Sequence, residues 1–439
     1  MVAMVDRGSS LHPHDAKPGA WRSLRLVGFA FGLWLMGCGP SLGHDDEEDG
    51  GEASETDADD GATPPAGGVP GLPRDPEACA DDPRAPSPGG NAVAWLTAPS
   101  DALVVKLDVA SGQELARYLA PSDTNPIHVS VDATGTALVS DPEGLVMIVG
   151  EGACEERNGR PEIQTSDGAP LPFGEDDCLA IVEPSGLAEV SAAHWVDLCG
   201  ADERHAWVVG AGVNEEPTAL LVTLPSGATA AEVSLADALS GWGQSLDGVV
   251  DRDGNLWVVT GQGDLARVGI GDLSVRAWTP PDPVGDVGLH GGFVDIAVAG
   301  DGAVIVCAQE VVRFEPTSEL WSAGVHPGLD VTTIHGCALD DAAGRLWQTH
   351  AYADVLTAIE IPSFTAVLTI GFESPGGVAV DAEGHVWVVD EHDVVRVDGE
   401  TGELLLRYDF EAAGIRNIAV RGDFIGVSTM AAGAQTPAG

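Results

Sequence analysis

Short β-branched and aliphatic runs, each alternating in character and each followed by a turn, recur along most of the chain. Such runs have the two-residue period of antiparallel strands. Four stretches align without gaps: "HVSVDATGTALVSD" from His128, "DGVVDRDGNLWVVT" from Asp247, "CALDDAAGRLWQTH" from Cys337 and "GVAVDAEGHVWVVD" from Gly377. Weaker copies begin at Trp195, Asp295 and Asn417. After the last strong copy come a third run, "DVVRVD", a turn, and a fourth run, "LLLRYDF". A repeat of four short strands in roughly forty residues is the blade of a β-propeller. Seven copies predict an all-β fold, a seven-bladed β-propeller of four-stranded antiparallel blades over residues 91–430. The strands of Ala92 to Ala120 match the second to fourth strands of a blade and lack a first, so they are expected to join Asn417 to Val420 in one composite blade. "FIGVST" (Phe424 to Thr429) competes for the place of the second strand.

The turns explain their own residues. An Asp at the first position accepts backbone N–H groups and a Gly at the fourth supplies positive φ, so Asp132, Asp251, Asp341 and Asp381 read as turn formers rather than metal ligands. Trp207, Trp257, Trp347 and Trp387, three residues after the Gly position, read as packing residues between stacked sheets.

The pattern fails at both ends. Arg22 and Arg25 precede an apolar run, Leu26 to Met36, with the length of a secretory core and too short to span a bilayer. It closes on "LMGC", which resembles the bacterial lipoprotein signal. That resemblance implies a signal peptide over 1–37, a lipid on Cys38, export, and, with Gly39 next, attachment to the outer membrane at the cell surface. Residues 38–90, rich in Gly, Pro, Asp and Glu, lack the apolar surface to fold and read as a disordered acidic tether, and 431–439 as a disordered tail.

Across the 439 residues the net charge is −49, which repels phosphate backbones and excludes nucleic acid as a partner. The membrane, through the lipid at Cys38, and an unidentified protein or small molecule remain the expected partners. With Cys38 set aside, Cys79, Cys154, Cys178, Cys199, Cys307 and Cys337 allow three disulfides with no zinc spacing among them.

Two places could hold chemistry. The first blade is lengthened by an insertion of 27 residues, Gly152 to Cys178, which Cys154 and Cys178 are placed to close. Within it "EERNGRPEIQTSDG" resembles a degenerate calcium loop of bacterial surface proteins, with Glu156 and Asn158 in ligand places and Arg160 where an oxygen belongs. Asp167, Glu175, Asp176 and Asp177 could add oxygens to a Ca2+ ion, or the stretch is a solvated excursion. It follows a third strand, and so is expected on the face opposite the second place. There, segments entering inner strands or joining second to third strands carry His128, His194, His290, His326, His335, His350 and His392, with Glu310, Asp390 and Glu391, and with Trp195 and Trp242 as aromatic walls. Histidines at a channel mouth can act as general bases or bind a metal.

The unit "GVAVDAEGHVWVVDEHDVVRVDGETGE" resembles the repeats of bacterial propellers related to NHL repeats and to streptogramin (virginiamycin B) lyase, over roughly Ala92 to Thr429. That resemblance implies the fold, and for the lyases a catalytic histidine with glutamates on the histidine face. Here the second strands end in "VVTGQ", "CAQE", "QTHA" and "VVDEH", which offer no consistent acidic residue. Nucleophile-elbow, P-loop, zincin and dinucleotide signatures are missing from the sequence. A surface-anchored binding or interaction module is the first expectation, a streptogramin lyase-like or lactone-hydrolase-like enzyme with a His base the second, and a purely structural surface protein the third.

Overall fold

The computed structural model describes residues 93–420 apart from 122–124, 133, 143, 145, 151–152, 157–158, 160–164, 167–169, 197–202, 240–245, 262, 282–294, 309, 326–333, 391, 410–414 and 416. The expected signal peptide, Cys38, the expected tether and tail, and "FIGVST" therefore lie outside the described residues.

Strands β1 (Val93–Ala98), β2 (Leu103–Asp108) and β3 (Glu114–Leu119) open the described chain. Six blades follow in order. The first holds β4 (His128–Val131), β5 (Ala137–Ser140), β6 (Val146–Val149) and β7 (Leu179–Val182), the second β8 (Leu187–Val196), β9 (Arg204–Gly212), β10 (Pro217–Leu224) and β11 (Ala228–Ser234). The third holds β12 (Leu246–Val250), β13 (Leu256–Thr260), β14 (Leu265–Val268) and β15 (Val275–Trp278), the fourth β16 (Asp295–Val298), β17 (Val304–Cys307), β18 (Glu310–Glu315) and β19 (Leu320–Val325). The fifth holds β20 (Gly336–Asp340), β21 (Arg345–His350), β22 (Val355–Glu360) and β23 (Thr365–Gly371), the sixth β24 (Pro375–Val380), β25 (His385–Asp390), β26 (Asp393–Asp398) and β27 (Leu404–Asp409). The last strand, β28 (Asn417–Val420), pairs antiparallel with β1 and completes a seventh sheet in the order β28-β1-β2-β3. The protein is a seven-bladed propeller of four-stranded antiparallel blades, closed as the repeat requires. Pairing with β28 covers the edge of β1 that would otherwise template association.

The turn chemistry holds in detail. Asp132 Oδ1 accepts the N–H groups of Thr134 and Thr136, Asp251 Oδ1 those of Asp253 and Asn255, and Asp381 Oδ1 those of Glu383 and His385. The glycines that follow take φ near +80°: Gly135 at 83°, Gly254 at 82° and Gly384 at 80°. The fifth blade departs from the expectation. There Asp340 Oδ1 takes the Ala343 N–H, while Asp341 Oδ1 accepts the Gly300 N–H of the neighbouring blade at 3.0 Å. The pairing of Ala338 with Trp347 shows why, since it puts Asp340 where Asp251 stands and makes this turn one residue longer.

Each recurring Trp packs on the following blade. Trp207 meets Leu246, Leu256 and Val258, Trp347 meets Val378 and Val386, and Trp387 meets Leu96, Leu107 and Ile418 of the closing blade. Trp95 of β1 is the same feature, buried against Val129, Ala137 and Val139. These apolar seams between adjacent sheets are the core, and they hold the inner strands in a fixed ring around the channel.

Two disulfides are present among the described cysteines, Cys154–Cys178 and Cys307–Cys337. The first closes the insertion, which lies between β6 and β7 as expected. Its course differs from the expectation that it would stay on one face. Ser166 accepts the Arg117 N–H on the outer edge of β3. Phe173 reaches the far end of the same blade, where it lines a cleft of about 410 Å³ with Pro99, Ala102, Leu119 and Ala120. The insertion is thus a strap along the outermost strand of the one blade that no continuous chain segment completes. The second disulfide joins the end of β17 to inner strand β20 across a blade boundary, with both cysteines fully buried. Cys79 and Cys199 lie outside the described residues.

Candidate functional site at the central channel

At one level the inner strands concentrate buried polar side chains. Aligned on the residue that pairs with the recurring Trp position, the residue two places earlier is His128 in β4, Asp247 in β12, Asp295 in β16 and Asn417 in β28. The same place is Ala192, Gly336 and Gly377 in the other three blades. In β8, where the register shifts twice, the polar residue is instead His194, directly opposite Trp207.

These side chains reach from each inner strand toward the next. The rings of His128 and His194 meet edge to face with centroids 4.6 Å apart. One ligand atom from each of His128, His194 and Asp247 lies within 4.8 Å of the others, and all three residues are buried. Asp247 Oδ1 accepts the N–H of Gly248, as Asp295 Oδ1 does from Ile296 and Asn417 Oδ1 from Ile418. Beyond that shared local bond, Asp295 Oδ2 takes the Cys337 N–H of the next blade at 2.8 Å, and Asn417 Nδ2 donates to the Ile127 carbonyl of the next blade at 3.1 Å. A belt of buried polar groups so runs across the inner strands from β28 through β20. Part of it stitches neighbouring blades, and His128, His194 and Asp247 converge within it.

Burial sets the protonation. It lowers His128 to about 3, and it lowers His194 well below the ordinary histidine value with a further contribution from His128. Both imidazoles are therefore neutral at pH 7, the form that accepts a proton or ligates a metal. Burial, then the charge of Asp247, push Asp295 well above the carboxylate range. A neutral Asp295 beside Asp247 relieves the repulsion between two buried carboxylates.

The other expected site residues fall elsewhere. His335 enters β20, donating its N–H to the Thr349 carbonyl, with its ring edge-on to Tyr352 at 6.1 Å. His350 closes β21 and is buried, His392 is exposed between β25 and β26, and Glu310 opens β18 half-buried, its carboxyl raised by desolvation. Asp390 is a loop clamp, its carboxylate taking the Glu373 and Ser374 N–H groups and the Arg407 guanidinium. Trp195 is buried under the Arg204 guanidinium, 4.2 Å from its ring centre. His290, His326, Trp242 and Glu391 lie outside the described residues.

In the insertion, Asp176 Oδ2 takes the Ser166 N–H and hydroxyl and its Oδ1 the Cys178 N–H, so this carboxylate holds the strap in place. Asp177 is fully buried, Glu175 half-buried and Glu156 exposed, while Asn158 and Asp167 lie outside the described residues. None of the described four belongs to a group of His, Asp, Glu or Cys close enough to share an ion. A second such group, Asp381, Glu383 and His385, is the β24–β25 turn itself, where Asp381 is occupied by the backbone and by Trp387 Nε1.

Of the residues at the channel, Asp247 and Asp295 were not singled out from the sequence as site residues. The signal was there, because each is the first letter of its aligned repeat, in register with His128 and Asn417.

The propeller is similar to solved structures from several bacteria. A functionally unknown protein from Desulfotomaculum acetoxidans DSM 771 superposes with a TM-score of 0.52 at 11% identity, covering 76% of this chain and 99% of that one. AztD from Citrobacter koseri gives 0.49 at 14%, covering 75% and 98%, and virginiamycin B lyase from Staphylococcus aureus 0.46 at 14%, covering 70% and 95%. The likeness is one of fold. No family model and no curated protein matches the chain.

Proposed function

We propose that the protein is an exported, lipid-anchored β-propeller that acts as a binding module and takes its ligand at the central channel. One observation carries the reading: four consecutive inner strands each bury a polar or ionisable side chain, His128, Asp247 and Asp295 at one level and His194 two residues further along β8, and His128, His194 and Asp247 converge. Burying polar groups is costly in a fold that small apolar residues would satisfy, as Ala192 and the two glycines do at the same level. Such a concentration in a concave place points to recognition.

The anchor is supported by the "LMGC" motif at Cys38 and the acidic tether behind it. Cell fractionation of the Cys38→Ala variant should move the protein from the membrane to the soluble fraction; retention in the membrane would refute the anchor. Native mass spectrometry of protein released from membranes tests the binding. A mass excess that unfolding removes and that the His194→Gln variant lacks is expected, and a bare mass in every preparation of the wild type would overturn the reading.

The enzymatic alternative draws on the pairing of neutral imidazoles with a carboxylate, a general-base arrangement. Among the described residues the group at those histidines holds Asp247 and no glutamate, and Glu310 stands on a third strand of the fourth blade. Incubation with a cyclic depsipeptide should leave the ring intact. Linearisation that is lost in His194→Gln would establish the enzyme instead.

A further inference from the structure

The channel site can be given a ligand class, and that inference rests on the binding reading above. We propose that His128, His194 and Asp247 form a site for one divalent first-row transition metal ion, with Zn2+ the best match in chemistry. Ligand atoms about 2.0–2.1 Å from a tetrahedral metal stand roughly 3.4 Å from one another. The three atoms here already lie within 4.8 Å, so rotation of the side chains about χ1 and χ2 brings them onto an ion without moving the strands.

The donor set selects the class. Two imidazoles and one carboxylate suit zinc, cobalt, nickel, copper or ferrous iron, whereas calcium and magnesium prefer an all-oxygen shell. The preferred cation site thereby moves from the insertion to the channel.

A second observation points the same way. His194 Nε2 is buried and makes no hydrogen bond among the described residues, although an imidazole nitrogen in the interior ordinarily has a partner. His194 belongs to the cluster, its ring meeting that of His128 and a ligand atom of each lying near Asp247 of the next blade. A metal ion is an occupant that such a nitrogen can take.

The support around the three residues is of the kind that orients metal ligands. Asp247 is fixed by the Gly248 N–H, and behind it Asp295 is held by the N–H groups of Ile296 and Cys337. Cys337 is in turn tied across the blade boundary by its disulfide to Cys307. Outer groups that hold ligands in place matter nearly as much as the ligands themselves. Three protein ligands leave at least one coordination position, open to a water molecule or to a donor atom of an incoming partner. A chain of net charge −49 also raises the local concentration of cations around the channel.

Isothermal titration of the full chain, stripped with a chelator and then given Zn2+, tests the proposal, with cobalt(II) absorption as a second readout of the ligand shell. One equivalent is expected to bind tightly, and cobalt is expected to give the intense visible bands of a four-coordinate site. In His194→Gln and Asp247→Asn that affinity should fall by at least about a hundredfold, the upper end of what disturbing an outer-shell partner costs. Near-UV circular dichroism establishes that each variant is folded. Equal binding by the wild type and both folded variants would place the ion on the acidic surface or tether and overturn the proposal. So would a folded wild type that takes up neither metal. If native mass spectrometry then still shows an organic ligand at the channel, the binding reading stands without the metal.

Discussion

Replacing Trp387 with alanine is expected to lower stability by about 3–5 kcal/mol, the cost of deleting a large buried aromatic side chain and leaving a cavity behind. The ring is fully buried between the sixth blade and the closing blade, against Ala94, Leu96, Val105, Leu107 and Ile418. Its Nε1 donates to Asp381 Oδ2 at 2.9 Å, so truncation also weakens the turn that launches β25. The position matters beyond the contacts, because the closing blade joins β28 to β1 through strand pairing and packing, with no covalent connection between these neighbouring strands. A defect at this seam loosens ring closure, and the loss should show as a lower midpoint in guanidinium unfolding followed by tryptophan fluorescence. Trp347 provides the internal comparison. It is equally buried, but its Nε1 has no hydrogen bond among the described residues, so Trp347→Phe should cost only the packing lost with the larger ring, whereas Trp387→Phe loses similar packing and a hydrogen bond and should cost more. If Trp387→Ala cost less than about 1 kcal/mol, the seam would not be what holds the ring.

The same residues show what the sequence could reveal. Blade number, strand order and the closing pair were legible because each depends on a local signal: an Asp turn, a Gly with positive φ, a Trp at a fixed step, and a fourth-strand run. Cys154 and Cys178 were legible for a similar reason, as they flank an interruption of a regular spacing. The site was half legible. His128 and His194 stood out by residue type, but so did His335, His350 and His392, and nothing local distinguishes a histidine at the channel from one at a blade end. What separates them is which inner strand follows which around the ring, and the two register shifts in β8 that put His194 opposite Trp207. Asp247 and Asp295 were obscured differently. In a chain with 69 acidic residues, two more at the start of short strands are inconspicuous until alignment puts them in register with His128. The path of the strap could not be read, since it depends on Ser166 meeting the edge of β3, fifty residues away in a different blade.

Acidification should destabilise the metal-free protein through its channel histidines. In the folded state burial holds His128 at about 3 and His194 well below its ordinary value, against 6.5 for each in the unfolded chain. The unfolded state therefore binds more protons between pH 6.5 and 3, and stability contributed by the two neutral imidazoles is lost as pH falls through that window. At 1.36 kcal/mol per unit, His128 alone accounts for about 3 kcal/mol between pH 6.5 and 4. The titratable groups beside it are His194 and Asp247, and Asp295 stands one blade further on against Asp247. Asp295 acts with the opposite sign, because a carboxyl raised by burial favours the folded state below its unfolded value of 3.8 and loses that contribution as pH rises. Asp108 and Asp272, held below the ordinary carboxylate value by hydrogen bonds from Ser111 and Ser274, lose stability in the same direction as pH falls, equally in the wild type and in the His128 variant. Acid also neutralises part of the −49 charge and relieves self-repulsion, so the absolute profile mixes two trends. The measurement that isolates the site is the difference between two proteins. Urea unfolding in chelator, at steps from pH 7 to 4, should give His128→Asn a profile flatter than the wild type by about 3 kcal/mol at the acid end, while Asp295→Asn should steepen it. Parallel profiles for the wild type and His128→Asn would mean that His128 takes up its proton without unfolding the ring, and that the channel end is wetter than its burial requires.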